Sequence, residues 1–118
     1  MTARSTGPGE RVTLPGGIAH TFTAHNVVLP DGSQTLYGAQ PVASNGICQA
    51  ALRDLELAFP HVPRQNVRVA DLGCLEGGYA AAFAQAGYNV TGFEVRTENF
   101  LCCQYVQERL ALPNLNVL

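Results

Sequence analysis

The stretch Arg68 to Arg96, RVADLGCLEGGYAAAFAQAGYNVTGFEVR, narrows the folds open to this chain more than any other part of it. An apolar run from Val67 to Leu72 carries an acid, Asp71, at its end. A bend with Gly73, Gly77 and Gly78 follows, then an alanine-rich interval, then a second apolar run from Asn89 to Val95 with Glu94 near its close. Short β-favouring runs bounded by glycine predict buried strands, and the alanine-rich interval predicts a helix from Gly78 to Gln85. Gly87 supplies the left-handed residue that ends such a helix.

The same alternation continues. Thr97 is placed to cap a helix to about Leu110, with an apolar stripe of Leu101, Cys102, Tyr105, Val106 and Leu110. Pro113 forbids its continuation, and NLNVL, residues 114–118, opens a third strand. Strand, helix, strand, helix, strand in succession predicts right-handed crossovers and a parallel sheet, hence an α/β, Rossmann-like fold of which the first three strands are present.

Three segments precede this unit. Residues 1–17, rich in Gly, Pro, Ser and Thr, read as a flexible leader. In HNVVLPDGSQTLYG, Asp31-Gly32 between Val27–Leu29 and Thr35–Tyr37 is a hairpin signal, placing a short antiparallel pair outside the main sheet. From Ser44 to Phe59, Ile47, Ala51, Leu55 and Ala58 or Phe59 recur at helical spacing. Ser44 is the expected cap, and Pro60 and Pro63 the stop. This helix is expected to pack on the sheet. The organisation expected is thus a leader over 1–17, a hairpin and cap helix over 18–63, and an α/β unit over 64–118.

Composition removes several function classes. Apolar residues at 47% against 14% charged argue for a folded domain rather than a disordered chain. All seven basic residues are arginine and the formal charge is -2, so nothing favours a nucleic-acid backbone or an anionic membrane. Cys48, Cys74, Cys102 and Cys103 form no CxxC pair and read as buried small hydrophobes in a reducing compartment. No apolar run approaches membrane-spanning length, and a cytoplasmic protein is the expectation. His20, His25 and His61 stand singly, so no metal site is expected.

In a parallel sheet, ligands sit beyond the carboxyl ends of the strands, where the first loop meets a helix N-terminus. DLGCLEGG lies in that place. Its glycines let a ligand approach the backbone, and helix amides there favour an anionic group. Glu94, 23 residues after Asp71, can accept two hydrogen bonds from a ribose diol. A phosphate loop of the GxxxxGK[ST] kind fails, because the chain has no lysine. A dinucleotide loop needs GxGxxG, whereas Leu75 stands where the second glycine belongs and would meet an approaching pyrophosphate. A nucleoside without phosphate remains.

These residues carry a resemblance. RVADLGCLEGGYAAAFAQAGYNVTGFEVR resembles the first motif through the second strand of a class I S-adenosylmethionine-dependent methyltransferase, over roughly residues 64–118. It departs at Leu75 from the family's D-x-G-x-G-x-G. The resemblance implies that Asp71 orients the methionine end and that Gly73 and Gly77 let the loop pass close to the cofactor. Cys74 and Leu75 would line that passage, Glu94 would hold the ribose hydroxyls, and Val95 would pack on the adenine. Glu76 reads as solvating the start of the helix, Tyr79 as packing and Arg96 as exposed. None of them is assigned to catalysis.

The family's sheet runs 3-2-1-4-5, which makes the first strand central. The sequence therefore implies the N-terminal fragment of a longer methyltransferase, with the rest of the chain or a second copy covering the first strand's edge. The implied acceptor is an unidentified small molecule, with nucleic acid disfavoured. The alternative is a non-catalytic nucleoside-binding or interaction module built on the same half-fold. A nicotinamide-dependent dehydrogenase is opposed by the loop glycines.

Overall fold

A computed structural model of the chain describes residues 11–118. Strand β1 (Arg11–Thr13) and strand β2 (Ala19–Thr21) pair antiparallel, with Val12 opposite His20. The connection is Leu14-Pro15-Gly16-Gly17, closed by hydrogen bonds from Leu14 to the Ile18 carbonyl and from Gly17 to the Leu14 carbonyl. Of the expected leader, residues 1–10 lie outside the described residues, while 11–17 are strand and turn. The N-terminal hairpin is thus one turn earlier in the chain than Asp31-Gly32 suggested. Around Asp31-Gly32 the chain does reverse, but as a single antiparallel bridge between Val28 and Gln34 rather than a strand pair.

Helix α1 spans Gly46–Ala58 and is capped by Asn45, whose side chain accepts the Cys48 amide at 2.7 Å. Ser44 instead closes a 3-10 turn over Val42–Ser44. The expected stripe on α1 holds in part: Ala51 and Leu55 are half-buried, but Ile47 is 72% exposed and Ala58 and Phe59 are exposed, while Cys48 is enclosed and Leu52 half-buried. Cys48 and Leu52 pack with Val42, Ala82, Tyr79 and Phe83, while Ala51, Leu55 and Ala58 line a hollow with Val69 and Phe83, between the helix and the edge of the sheet.

The parallel sheet forms as expected. Strands β3 (Arg68–Leu72), β4 (Asn89–Phe93) and β5 (Leu115–Val117) lie side by side in that order, with Asp71 opposite Gly92 and Leu72 opposite Phe93. Helix α2 (Gly78–Gln85) joins β3 to β4, and helix α3 (Thr97–Leu110) joins β4 to β5. Two crossovers of the same hand in the same direction put both helices on one face. The Arg96 position, not Thr97, precedes the first turn of α3, and no side chain caps it. Ala111, left-handed at φ 50°, ends it.

The core lies between the sheet and this helix layer. Val90 and Leu115 face Ala80, Ala81, Ala84, Cys102, Cys103 and Val106, all buried. The N-terminal segment covers the outer side of the helices with Leu14, Phe22, Val27, Leu29 and Leu36, and the Phe22 ring lies 6.0 Å from that of Tyr105. Burying a side chain such as Phe22 or Leu115 contributes roughly 1.5–3 kcal/mol, so this segment is a structural layer. The opposite face of the sheet differs. Arg68, Ala70, Leu72 and Phe93 are exposed there, with Leu72 79% accessible. Among the described residues, the outer edge of β3 also has no partner strand.

Candidate functional site

The site is built where β3 and β4 end side by side. Five residues, Gly73 to Gly77, carry the chain from β3 to α2. Three of them are left-handed: Gly73 at φ 69°, Leu75 at φ 56° and Gly77 at φ 87°. Glycine adopts that region freely, but a leucine there costs about 1–2 kcal/mol. The loop sequence therefore concentrates strain at the one position where a glycine was expected.

Three contacts hold Leu75 in place. Its amide donates to Glu94 Oε1 at 3.0 Å, and its carbonyl accepts the Cys103 thiol at 3.1 Å. Just before it, the Cys74 amide extends the sheet ladder by donating to the Phe93 carbonyl at 2.9 Å. The sulfurs of Cys74 and Cys103 sit 3.4 Å apart, buried between loop and α3. The hydrogen bond with Cys74 and burial push the Cys103 thiol well above its ordinary range, so it keeps the proton that it donates.

Glu94 stands just past β4 and is half-buried. Its Oε2 accepts the Arg96 amide at 2.9 Å while Oε1 takes that of Leu75. An ionised carboxylate offers about four lone-pair sites. Two are used by the backbone, leaving each oxygen one direction for a further donor. Val95, beside it, is 99% exposed. Asp71 is half-buried at the end of β3, and burial raises its carboxyl above the ordinary range, with no hydrogen bond or cation among the described residues offsetting it. A desolvated carboxylate of this kind favours a cationic partner.

The expected residues thus gather in two rows. Asp71, Gly73, Cys74, Leu75 and Gly77 follow the tip of β3, and Glu94 and Val95 follow the tip of β4. The direct link between the rows is the Leu75 amide on Glu94.

Other residues depart from their sequence readings. Glu76 does not solvate the helix start: it is 1% exposed and accepts the consecutive amides of Thr23, Ala24 and His25 at 3.1, 2.8 and 2.8 Å. His25, read as a lone histidine, accepts the Gly78 amide on Nδ1 at 2.9 Å. Burial lowers its pKa, against a weaker opposing pull from Glu76, and the unprotonated ring is the form that can accept. Tyr79 packs as expected, edge-on to His25 at 5.3 Å, with its hydroxyl accepting from Asn45 Nδ2.

His20 also has companions that spacing did not reveal. Its Nε2 lies 3.7 Å from Glu76 Oε2, and the donor atoms of His20, Glu76 and Cys102 fall within 4.8 Å of one another. Glu76 is already committed to three amides, and burial pushes the Cys102 thiol up to about 12, so this cluster is packed interior rather than a set of ready ligands. No signal in the sequence marks Glu76 or His25, because their partners are more than fifty residues away.

No helix among the described residues is long and apolar enough to cross a membrane. No family model matches the chain, and comparison with curated proteins returns no match. Solved structures do match. The N-terminal domain of EvdMO1 with SAH bound is 28% identical over 68% of this chain and 30% of its own length, with a TM-score of 0.50. The same domain, solved in the presence of SAH and D-fucose, gives 27% identity, 75% and 35% coverage and a TM-score of 0.54. The bifunctional kinase-methyltransferase WbdD, at 21% identity over 63% of this chain and 16% of its own, shares the fold with a TM-score of 0.53. The chain therefore spans about a third of the EvdMO1 domain and about a sixth of WbdD. It has a Rossmann-like, methyltransferase-like α/β fold, similar to that in which the EvdMO1 domain was solved with SAH bound.

Proposed function

We propose that this chain is the cofactor-binding half of a class I S-adenosylmethionine-dependent methyltransferase, with the cofactor lying across the tips of β3 and β4. The observation that carries this reading is the glycine loop drawn onto Glu94 through the Leu75 amide. It leaves two carboxylate lone pairs turned to solvent beside a fully exposed Val95. The residues present suit the cofactor. Glu94 would take the ribose diol, Val95 the adenine face, and Asp71 the ammonium of the methionine end, which would relieve its unfavourable burial. The left-handed Gly73, where a Cβ would stand in open space, keeps a side chain out of the approach to the loop, and Gly77 lets the loop pass close against Cys103 of α3.

When bound, the cofactor supplies a methyl group already activated on a sulfonium. The work left to the protein is alignment. Here that work falls to the loop backbone and to the two carboxylates. The acceptor is a small molecule. One similar structure was solved in the presence of SAH and D-fucose, which makes hydroxylated compounds the first class to try. Further polypeptide, from the rest of a longer chain or a second copy, covers the free edge of β3 and the exposed face with Leu72 and Phe93, since parallel sheets are stable with both faces covered. The complete protein works in the cytoplasm.

Calorimetric titration with SAH (S-adenosylhomocysteine), the demethylated cofactor, tests the reading. Binding by the wild-type chain, weakened about tenfold or more in Glu94→Ala, is expected. Equal heats from both proteins would remove Glu94 from the site. Binding without methyl transfer in a complete protein would favour the non-catalytic module.

A further inference from the structure

We infer that Glu76 and His25 are positioning residues that clamp the glycine loop from behind, so that its cofactor-facing shape depends on the N-terminal segment Thr23–His25. The inference rests on the cofactor reading above and adds residues that never touch the cofactor.

A five-residue connection with three left-handed residues does not hold itself in one conformation. On its open side Glu94 restrains it through the Leu75 amide, and from α3 the Cys103 thiol holds the Leu75 carbonyl. On the side of the N-terminal segment two further ties do so, one on each side of Gly77. Glu76, immediately before Gly77, sends its carboxylate into a nest of three successive amides from residues 23–25. Gly78, immediately after Gly77, donates its amide to His25 Nδ1. That amide is one of the donors a helix start leaves without an intrahelical partner, so α2 spends it on the N-terminal segment and not on a ligand. The approach is close: a Cβ on Gly78 would lie 3.0 Å from His25 Cβ and 2.8 Å from Val42. Only glycine fits without displacing them.

The chemistry of the tie is specific. Burying a carboxylate is costly unless its charge is satisfied, and three N–H donors at 2.8–3.1 Å satisfy it. A glutamine in its place keeps one acceptor oxygen but turns its NH2 group towards at least one of these N–H donors. The ties thus couple a segment outside the α/β unit to the backbone of the cofactor loop.

Three variants of the full chain test the clamp: Glu76→Gln, His25→Ala and His25→Asn, the last placing an acceptor oxygen near the position of Nδ1. Each is read by SAH calorimetry, by hydrogen exchange at the Gly78 amide without ligand, and by circular dichroism. In folded protein, His25→Ala and Glu76→Gln are expected to weaken SAH binding about tenfold and to speed Gly78 exchange, and His25→Asn to recover most of both. Unchanged affinity in folded His25→Ala would overturn the clamp, as would equal losses in His25→Ala and His25→Asn. If the wild-type chain binds no SAH, the cofactor reading fails by itself. Gly78 exchange then decides the clamp: faster exchange in His25→Ala supports it, and an unchanged rate overturns it.

Discussion

The Glu94 carboxylate accepts the amide of Leu75 at 3.0 Å, tying the loop after the first sheet strand to the tip of the second. Leu75 is left-handed, at φ 56°, in the position where the D-x-G-x-G-x-G pattern that the loop resembles has glycine. Glu94 therefore has a structural load before any ligand arrives. Losing its two hydrogen bonds, both exposed, is expected to cost about 1 kcal/mol of stability, read from the urea midpoint of Glu94→Ala. A midpoint identical to wild type would show that the loop holds its shape without the carboxylate.

Leu75→Gly removes the left-handed penalty but adds chain entropy in the unfolded state. The two nearly offset, with a net gain of up to about 1 kcal/mol expected. Leu75→Val, a β-branched residue in the same backbone, is expected to destabilise by more than that. Chemical denaturation of both variants checks the ordering; a Val variant as stable as the Gly variant would contradict it.

Asp71 sets stability against binding. Burial raises its carboxyl above 3.8, so the folded chain retains a proton that the unfolded chain has lost. Stability is therefore gained as pH falls through the raised value, and the ionised form is a burden near neutrality. Asp71→Asn is expected to raise the thermal midpoint at neutral pH while weakening SAH binding. A variant that loses stability would show an unrecognised favourable partner for the carboxylate.

His25 titrates with the opposite consequence. Burial holds its folded pKa below 6.5, so the unfolded chain binds the proton first. The stability associated with the neutral ring is complete above that value and is lost as pH falls from it through the lowered one. Thermal midpoints measured from about pH 8 to about pH 5 should decline in wild type and decline less in His25→Asn. Parallel curves would exclude His25 as the source.

The β3 edge, without a partner strand among the described residues, and the exposed Leu72 make self-association of the isolated chain the expected behaviour. Sedimentation at rising concentration should show a growing average mass. A monomer at every concentration would contradict this.

The β3-to-β5 succession was legible because each strand is a short apolar run with a glycine or proline close to one end (Gly73, Gly87 and Pro113), and α2 matched its expected bounds at Gly78 and Gln85. The caps were less so. Ser44 and Asn45 are equally good cap residues, and only the turn over Val42–Ser44 decides between them. Leu14-Pro15-Gly16-Gly17 looked like flexibility, yet its glycines, at φ 88° and 81°, make the tight turn of the β1–β2 hairpin. The stripe on α1 was right at Ala51 and Leu55 but not at Ile47, because helical spacing alone fits two neighbouring faces, and packing with Ala82 encloses Cys48 instead. Asp71 and Glu94 stood out by their places at strand ends. Glu76 and His25 did not, because a tie across more than fifty residues has no local pattern.

Amide-resolved NMR of the chain titrated with SAH addresses the placement of the cofactor most directly. The expected result is a saturable set of shifts centred on Gly73–Gly77 and Glu94–Arg96, all fitting one dissociation constant. Saturable shifts elsewhere with those amides unmoved, or no shifts at all, would contradict a cofactor seated across the tips of β3 and β4.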